Sequence, residues 1–257
     1  MTALAHFLES RGEYRRAILL RGRPGLVEAE LEDNVHHFTA TIWHDGAKVL
    51  RAEGGSIRIP FTTCSAGAGQ VEVLAGSSLV SDVRRAYALA DVRFQCTHAF
   101  QLAAHAIVHA TRGEQVRLYE VRTEDQGEAL LAEVRLNQQL MHSWLLTNDR
   151  VIAPEQLGGL SIAEAVKRVA EDGPDQAEAA VILHRAVRQA LAQRHVTHLA
   201  GTSAAALSTG GSCYTFQPNR AGGAGTLDMT RNFEREGVWP LRDKARAFEE
   251  EVQPAYL

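Results

Sequence analysis

Three histidines within one apolar segment are the strongest indication of chemistry in this sequence. Residues 95–111 read QCTHAFQLAAHAIVHAT and contain His98, His105 and His109. At about 100° per residue, the three imidazoles fall within about 40° of one another on a helix. No permanent charge occurs from 96 to 110, so we expect a helix that is buried on nearly all sides. Because an unpartnered buried imidazole costs about 1–3 kcal/mol, the histidine face is expected to border a pocket.

His98 is the favoured general base of this segment. Thr97 is a good N-cap and would leave His98 in the first helical turn, where the helix dipole favours neutral imidazole. Histidine is the side chain best suited to proton transfer near neutral pH. We expect His44, which ends a predicted strand, or Asp45, which follows it, to act as the proton partner of His98.

Five further residues are expected to bind or orient a substrate. Each offers a polar or polarisable side chain in apolar surroundings, and the set is His37, Cys96, His105, His109 and Tyr214. The Tyr214 phenol could steady an oxyanion, and an ordinary half-buried tyrosine is the alternative interpretation.

A divalent metal such as zinc is the alternative to chemistry without a cofactor. Histidine and carboxylate suit such an ion, and the possible ligands before the helix are Glu30, Glu32, Asp33, His36, His37, His44 and Asp45. His105 and His109, about 6 Å apart along the helix axis, could share one ion, whereas His98 lies about 10.5 Å from His105. The segment lacks the glutamate of the HExxH motif. Histidines that pair with backbone carbonyls in the core are the other alternative.

The cysteines indicate reduced thiols. Cys64, Cys96 and Cys213 are odd in number and far apart in sequence, which argues against a disulfide framework. Cys96 and His98, two residues apart at a helix start, do not face each other as a nucleophile and its base. An inert buried thiol is therefore the alternative to a cysteine hydrolase.

Composition is that of an ordinary globular protein. The chain has 257 residues, 45% of them hydrophobic and 23% charged, which is enough for a substantial core. A net charge of −4 gives no electrostatic reason to bind nucleic acid or an anionic membrane. We find no signal peptide and no spanning run of about 20 apolar residues, so we expect a cytoplasmic protein. The expected partner is a small hydrophobic or aromatic substrate. The sequence leaves the oligomeric state open, with a homo-oligomer as one alternative.

Period-two segments bounded by turn residues predict an antiparallel meander, followed later by further strands. The predicted strands are 15–21, 25–32, 35–44, 47–53, 56–61, 116–122, 129–137 and 140–146. Helical spacing predicts helices at 81–90, 161–171 and 175–194, with caps at Ser81, Ser161 and Asp175. We therefore expect a single α+β domain over 1–257: a largely antiparallel, curved sheet with a buried histidine helix and a C-terminal helix pair. Residues 1–14 would be an arm, and 217–257 a tail with a possible helix at 241–252.

Five stretches together resemble a bacterial family, the domain-of-unknown-function family numbered 2889. They are HHFTATIWHDG (36–46), RIPFTTCSAGA (58–68), QCTHAFQLAAHAIVHA (95–110), MHSWLLTNDRVIAP (141–154) and AAVILHRAV (179–187). The resemblance runs from about residue 15 to about residue 216. Two positions depart from it, because serine follows Cys64 where the family has proline, and Gln101 stands where it often has an acid. The resemblance implies catabolism of aromatic and other hydrophobic compounds but assigns no reaction.

The function we expect is that of a lyase without an organic cofactor. It would cleave a C–C or C–O bond of a hydrophobic, phenolic substrate by histidine acid–base catalysis, and the loss of formaldehyde from a lignin-derived dimer is one instance. A metal-dependent hydrolase with histidine and aspartate ligands is one alternative. A non-catalytic protein that binds a small ligand is the other.

Overall fold

The structure is a computed structural model that describes residues 12–113, 115–196, 201–207, 210–227, 229–244 and 247. Its strands are β1 (Tyr14–Arg23), β2 (Leu26–Asp33), β3 (His37–His44), β4 (Val49–Arg58), β5 (Val116–Gln126), β6 (Ala129–Leu136), β7 (Gln139–Thr147) and β8 (Arg150–Ala153). They form a sheet in the order β4-β3-β2-β1-β5-β6-β7-β8, with antiparallel pairing from β2 to β4 and from β5 to β8.

The α-helices of the described chain are α1 (Cys64–Gly69), α2 (Val83–Tyr87), α3 (Thr97–Ala110), α4 (Ile162–Val169), α5 (Pro174–Val196), α6 (Pro218–Ala221) and α7 (Phe233–Glu236). Short 3-10 segments occur at Gln70–Leu74, Val92–Phe94, Glu155–Leu157, Ala170–Asp172 and Ala204–Leu207. The predicted α+β class, its largely antiparallel sheet and its later helix pair are confirmed. Among the described residues, every helix is too short or too polar to cross a membrane.

The chain forms two compact units. Described residues within 1–17, 118–198 and 232–242 belong to the first unit, and those within 18–117, 199–231 and 243–257 to the second. The single domain over 1–257 stays a prediction.

The histidine helix α3 forms the centre of the second unit. Every residue from Ala99 to Ala110 is buried, which confirms the expected burial of this helix. It packs against β2, β3 and β4. In β3 the buried positions are Phe38, Ala40 and Ile42, which alternate with half-buried ones as period two requires. Burying a side chain such as that of Ile42 stabilises the fold by about 1.5–3 kcal/mol.

A glycine sets the distance between β4 and the short helix α1 in the second unit. A Cβ added to Gly54 would lie 2.1 Å from the backbone oxygen of Ala68, so no larger residue fits without a shift of the backbone. In the sequence, Gly54 and Gly55 separate two predicted strands. The structure has one continuous strand here, β4, so a separate strand at 56–61 is wrong.

The first unit packs the pair α4 and α5 beside β6 and β7. The capping box at Ser161 is confirmed, because its hydroxyl accepts a hydrogen bond from the backbone of Glu164 and the Glu164 carboxylate accepts one from the backbone of Ser161. Asp175 lies in the first turn of α5, which begins at Pro174, so its prediction as a cap is wrong. Proline suits this position since its missing N–H would have no helical partner.

Two helix starts in the second unit also differ from prediction. Asp82 caps α2 by accepting a hydrogen bond from the backbone of Arg84, where Ser81 was expected. Cys96 precedes α3, so Thr97 is its first residue and not its cap. Residues 242–244 and 247 are helical, and the rest of the helix predicted at 241–252, apart from Leu241, lies outside the described residues.

Candidate functional site

The turn between β2 and β3 holds a buried carboxylate against a histidine. Asp33 is fully buried, and its Oδ1 accepts hydrogen bonds from the backbone N–H groups of Val35 and His36, at 2.8 and 2.7 Å. The same oxygen lies 3.1 Å from Nδ1 of His36. A carboxylate that faces Nδ1 places the proton of the neutral ring on Nδ1, so the lone pair is on Nε2. His36 Nε2 makes no hydrogen bond within the described residues.

Arg58, at the end of β4, holds the turn between β2 and β3 in place through hydrogen bonds. Its guanidinium donates to the backbone oxygen of Asn34 at 2.8 Å and to that of Asp33 at 2.7 Å. It also lies 3.1 Å from the carboxylate of Glu32, which Arg231 approaches at the same distance. Several hydrogen bonds from one planar guanidinium hold the turn in a single conformation.

His98 is the predicted site residue that the structure brings to this turn. From the first turn of α3, its ring stacks on that of His36 with centroids 3.7 Å apart and planes 23° apart. The phenyl ring of Phe38 lies nearly parallel to His98 at 5.8 Å. His36 is buried and His98 is half-buried, so the second ring is the more accessible of the two.

The group formed by Asp33, His36 and His98 has the residue types of a metal site. One ligand atom from each lies within 4.8 Å of the other two. The stacking is unfavourable for a shared ion, however. Imidazole binds metals in the plane of its ring at about 2.0–2.1 Å, and the lone pairs of two nearly parallel rings do not converge on one point. A metal held by both imidazoles therefore requires one ring to rotate.

His44 and Asp45, the predicted partners of His98, lie at the other end of β3. His36 immediately precedes that strand, and His44 ends it about 26 Å further along at the usual rise per residue. The Asp45 carboxylate accepts hydrogen bonds from the backbone of Ala47 and Lys48 in an exposed turn, which lower its pKa. The structure thus gives Asp45 a role in the hairpin and does not bring either residue to His98.

His105 and His109 lie fully buried in the core of the second unit. Nε2 of His105 lies 3.4 Å from the hydroxyl of Tyr87, on α2. Nε2 of His109 donates to the backbone oxygen of Gln115 at 2.9 Å. These contacts match the alternative in which core histidines are partnered by the protein, and substrate binding by this pair stays a prediction.

His37 and Tyr214 are in other places in the same unit. His37 alternates with Phe38 and so points to the opposite face of the sheet, where its Nε2 lies 2.6 Å from the carboxylate of Glu30. Tyr214 packs beside Gly67, and the guanidinium of Arg220 lies 4.0 Å from the centre of its ring. The backbone N–H of Tyr214 donates to the backbone oxygen of Gln95 at 2.9 Å, just before α3.

The cysteines are free and largely buried. Burial raises the pKa of Cys96 far above its ordinary value, and raises that of Cys64 to about 11. The pKa of Cys213 is raised by the same cause. Since the thiolate is the nucleophile, these environments favour the alternative of inert thiols.

Asp33 and His36 are site residues that sequence reasoning named only as possible metal ligands. Both were possible ligands among several polar residues, and Asp33 also fits a solvated turn. The available signal was the spacing Asp-Asn-Val-His, because an aspartate accepts hydrogen bonds from backbone groups two and three residues later. That pattern predicts a turn, but it does not predict which residue packs against that turn.

Comparisons of the chain with protein-family models, with curated proteins and with solved structures give no match.

Proposed function

We propose that the chain is a lyase without an organic cofactor that cleaves a C–C or C–O bond of a small hydrophobic, phenolic substrate. His36, oriented by Asp33, and His98 are its acid–base pair. The observation that carries the proposal is the contact of a carboxylate-bound imidazole with a second, more accessible imidazole. A carboxylate on Nδ1 is the usual way to orient a histidine that exchanges protons through Nε2.

The close contact of the two rings allows one of them to donate a proton while the other accepts one. Two positive charges 3.7 Å apart repel each other by about 1 kcal/mol even in water, and by more where water is excluded. Protonation of both rings at once is therefore disfavoured. When one ring carries the proton to be donated, the other is left to accept one, as a reaction with both steps requires.

The proposed reaction is balanced in protons and electrons without a further reactant. The neutral imidazole takes the proton of a substrate hydroxyl, and the electron pair left on that oxygen drives cleavage of the C–C or C–O bond. The imidazolium gives its proton to the leaving group. Loss of formaldehyde from a phenolic compound with a hydroxymethyl side chain is one such reaction. The substrate class rests on the sequence resemblance.

A metal-dependent hydrolase is the second candidate, and the clustering of Asp33, His36 and His98 within 4.8 Å favours it. In that case the three residues would hold a divalent ion such as zinc, which would supply an activated water. The stacked rings are the observation against this candidate.

Metal content and turnover, measured on the same preparation, separate the candidates. Purified protein is analysed for metals by mass spectrometry and incubated with phenolic compounds that carry hydroxymethyl groups. Products and formaldehyde are quantified before and after treatment with EDTA. We expect cleavage that EDTA leaves unchanged. Activity that EDTA abolishes and zinc restores contradicts the proposal and supports the hydrolase. Tight binding without turnover supports the alternative of a ligand-binding protein.

A further inference from the structure

A cleft of about 360 Å³ opens in the first unit, between β7 and the region where α4 ends and α5 begins. Its volume lies at the lower end of the range of small-molecule sites. Buried apolar side chains from three elements line it, among them Trp144, Leu157 and Val169. The cleft can therefore hold a compact body of about six to ten heavy atoms, and polar groups make up most of its exposed lining.

His142 supplies the buried polar group of this cleft. Its side chain is among the lining residues and is only 9% exposed. Nε2 lies 2.9 Å from the backbone oxygen of Gln176, in the first turns of α5. Because a carbonyl can only accept, Nε2 carries the proton of the neutral ring and Nδ1 carries the lone pair. The ring of Trp144 lies 5.3 Å away and restricts movement of the imidazole.

The second nitrogen of this ring is available to a ligand. Nδ1 of His142 makes no hydrogen bond within the described residues. Burial lowers the pKa of His142, with the Gln176 carbonyl opposing the effect, so the ring stays neutral near pH 7. A neutral imidazole with Nε2 occupied presents a hydrogen-bond acceptor and no donor. Such a group selects ligands that can donate.

We propose that this cleft is a small-molecule site for an uncharged hydroxyl compound whose O–H donates to Nδ1 of His142. The charged lining residues, Arg168 and Asp172, are both exposed, and Arg168 is paired with Glu171 at 2.9 Å. Exposed charges bind a counter-charge weakly, so an ionic ligand gains little here. The site shares no residue with the Asp33, His36 and His98 group and does not depend on the proposed function.

Two probes of equal size test the donor preference in the intact protein. Cyclohexanol can donate a hydrogen bond, whereas cyclohexanone can only accept. Each is titrated into the full chain with ¹⁵N-labelled histidine side chains and followed by NMR. We expect cyclohexanol to shift the Nδ1 resonance of His142 and to leave those of His36 and His98 in place. It should bind about threefold to tenfold more tightly than cyclohexanone, as one net hydrogen bond provides.

Three variants extend the test. His142→Phe keeps an aromatic ring without the acceptor and should make the two probes bind equally. Val169→Phe fills the cleft and should weaken both. His184→Phe, in α5 but outside the cleft lining, should leave the preference unchanged. If His142→Phe fails to fold, the wild-type titration still decides.

The proposal is overturned if cyclohexanol leaves the His142 resonance unchanged, if both probes bind equally to the wild type, or if the shifts occur at His36 and His98 instead. None of these results bears on turnover at the second unit, so failure here is distinguishable from failure of the proposed lyase.

Discussion

His36 and His98 stack with their ring centroids 3.7 Å apart, although one precedes β3 and the other lies in the first turn of α3. Asp33 orients the first ring through Nδ1, and Phe38 packs beside both rings. The contact places an oriented imidazole beside an accessible one.

Replacing either stacked histidine should remove most of the turnover. His36→Gln and His98→Gln each delete one proton-transfer group, and such groups contribute about 10²–10⁴-fold. We expect kcat to fall at least about 100-fold in each, with unchanged circular dichroism. His44→Gln is the matched control, since His44 lies at the far end of β3. A large loss in both His98→Gln and His44→Gln, together with a normal rate in His36→Gln, would restore the pairing of His98 with His44.

Arg58 should contribute more to stability than an exposed arginine does. Arg58→Met removes a buried donor from the backbone oxygens of Asp33 and Asn34, the second of which still accepts from the backbone N–H of Arg231 at 2.7 Å. Hydrogen bonds to charged groups are worth about 1.5–3 kcal/mol each. We expect the free energy of unfolding in urea to drop by about 2–4 kcal/mol. Arg51→Met, which removes an exposed pair with Glu53, should change it by less than about 1 kcal/mol. Equal losses would show that the buried contacts of Arg58 add nothing.

The first unit should lose stability as the pH falls below 6.5. Burial lowers the pKa of both His142 and His184 from 6.5 in the folded state. Below pH 6.5 the unfolded chain therefore binds protons that the folded chain does not, and the free energy of unfolding decreases. We expect urea midpoints to fall from pH 7 to pH 5.

A variant and a second pH interval serve as controls. His142→Gln should reduce the decline in midpoint between pH 7 and pH 5. Glu30 does not contribute to the change in urea midpoint between pH 7 and pH 5. Burial opposes its ionised form, but hydrogen bonds from His37 and Lys244 prevail and hold its pKa below 4.5. Its contribution is lost only at lower pH. A midpoint that rises on acidification would contradict the assignment.

The buried thiols should react slowly with alkylating reagents. The pKa of Cys64, raised to about 11 from 9.0, leaves about 100-fold less thiolate at pH 8. We expect iodoacetamide to modify Cys64 and Cys96 at least about 100-fold more slowly than in the urea-unfolded chain, as measured by peptide mass spectrometry. Cys96→Ser should keep full turnover. Rapid modification of Cys96 in the folded chain would support the alternative in which Cys96 is a catalytic nucleophile.

Two glycines near α1 should respond in opposite directions to alanine. In Gly54→Ala the new Cβ meets the backbone of Ala68, and overpacking of this kind costs about 1–3 kcal/mol. Gly69 has open space around it and a helical φ of −62°, so Gly69→Ala should be neutral or stabilise by up to about 1 kcal/mol. The free energy of unfolding of each variant, measured in urea, tests this expectation. A neutral Gly54→Ala would show that α1 can shift away from β4.

Local signals in the sequence determined most of the long strands and helices and the burial of the histidine helix. Period-two alternation identified β3, because successive side chains of a strand point to opposite faces. The apolar run without permanent charge identified α3 as a core helix. The capping box at Ser161 was also readable, since both of its hydrogen bonds join residues three positions apart.

Only the tertiary structure decided which residues meet His98. Helical spacing placed His98, His105 and His109 on a common stripe, yet His105 and His109 are partnered within the core by Tyr87 and Gln115. Hydropathy could not distinguish His36 from His44, because both border the same strand. The partner of His98 was set by where the start of α3 crosses the sheet, and that crossing depends on long-range packing of α3 against β2, β3 and β4, which no local sequence pattern encodes.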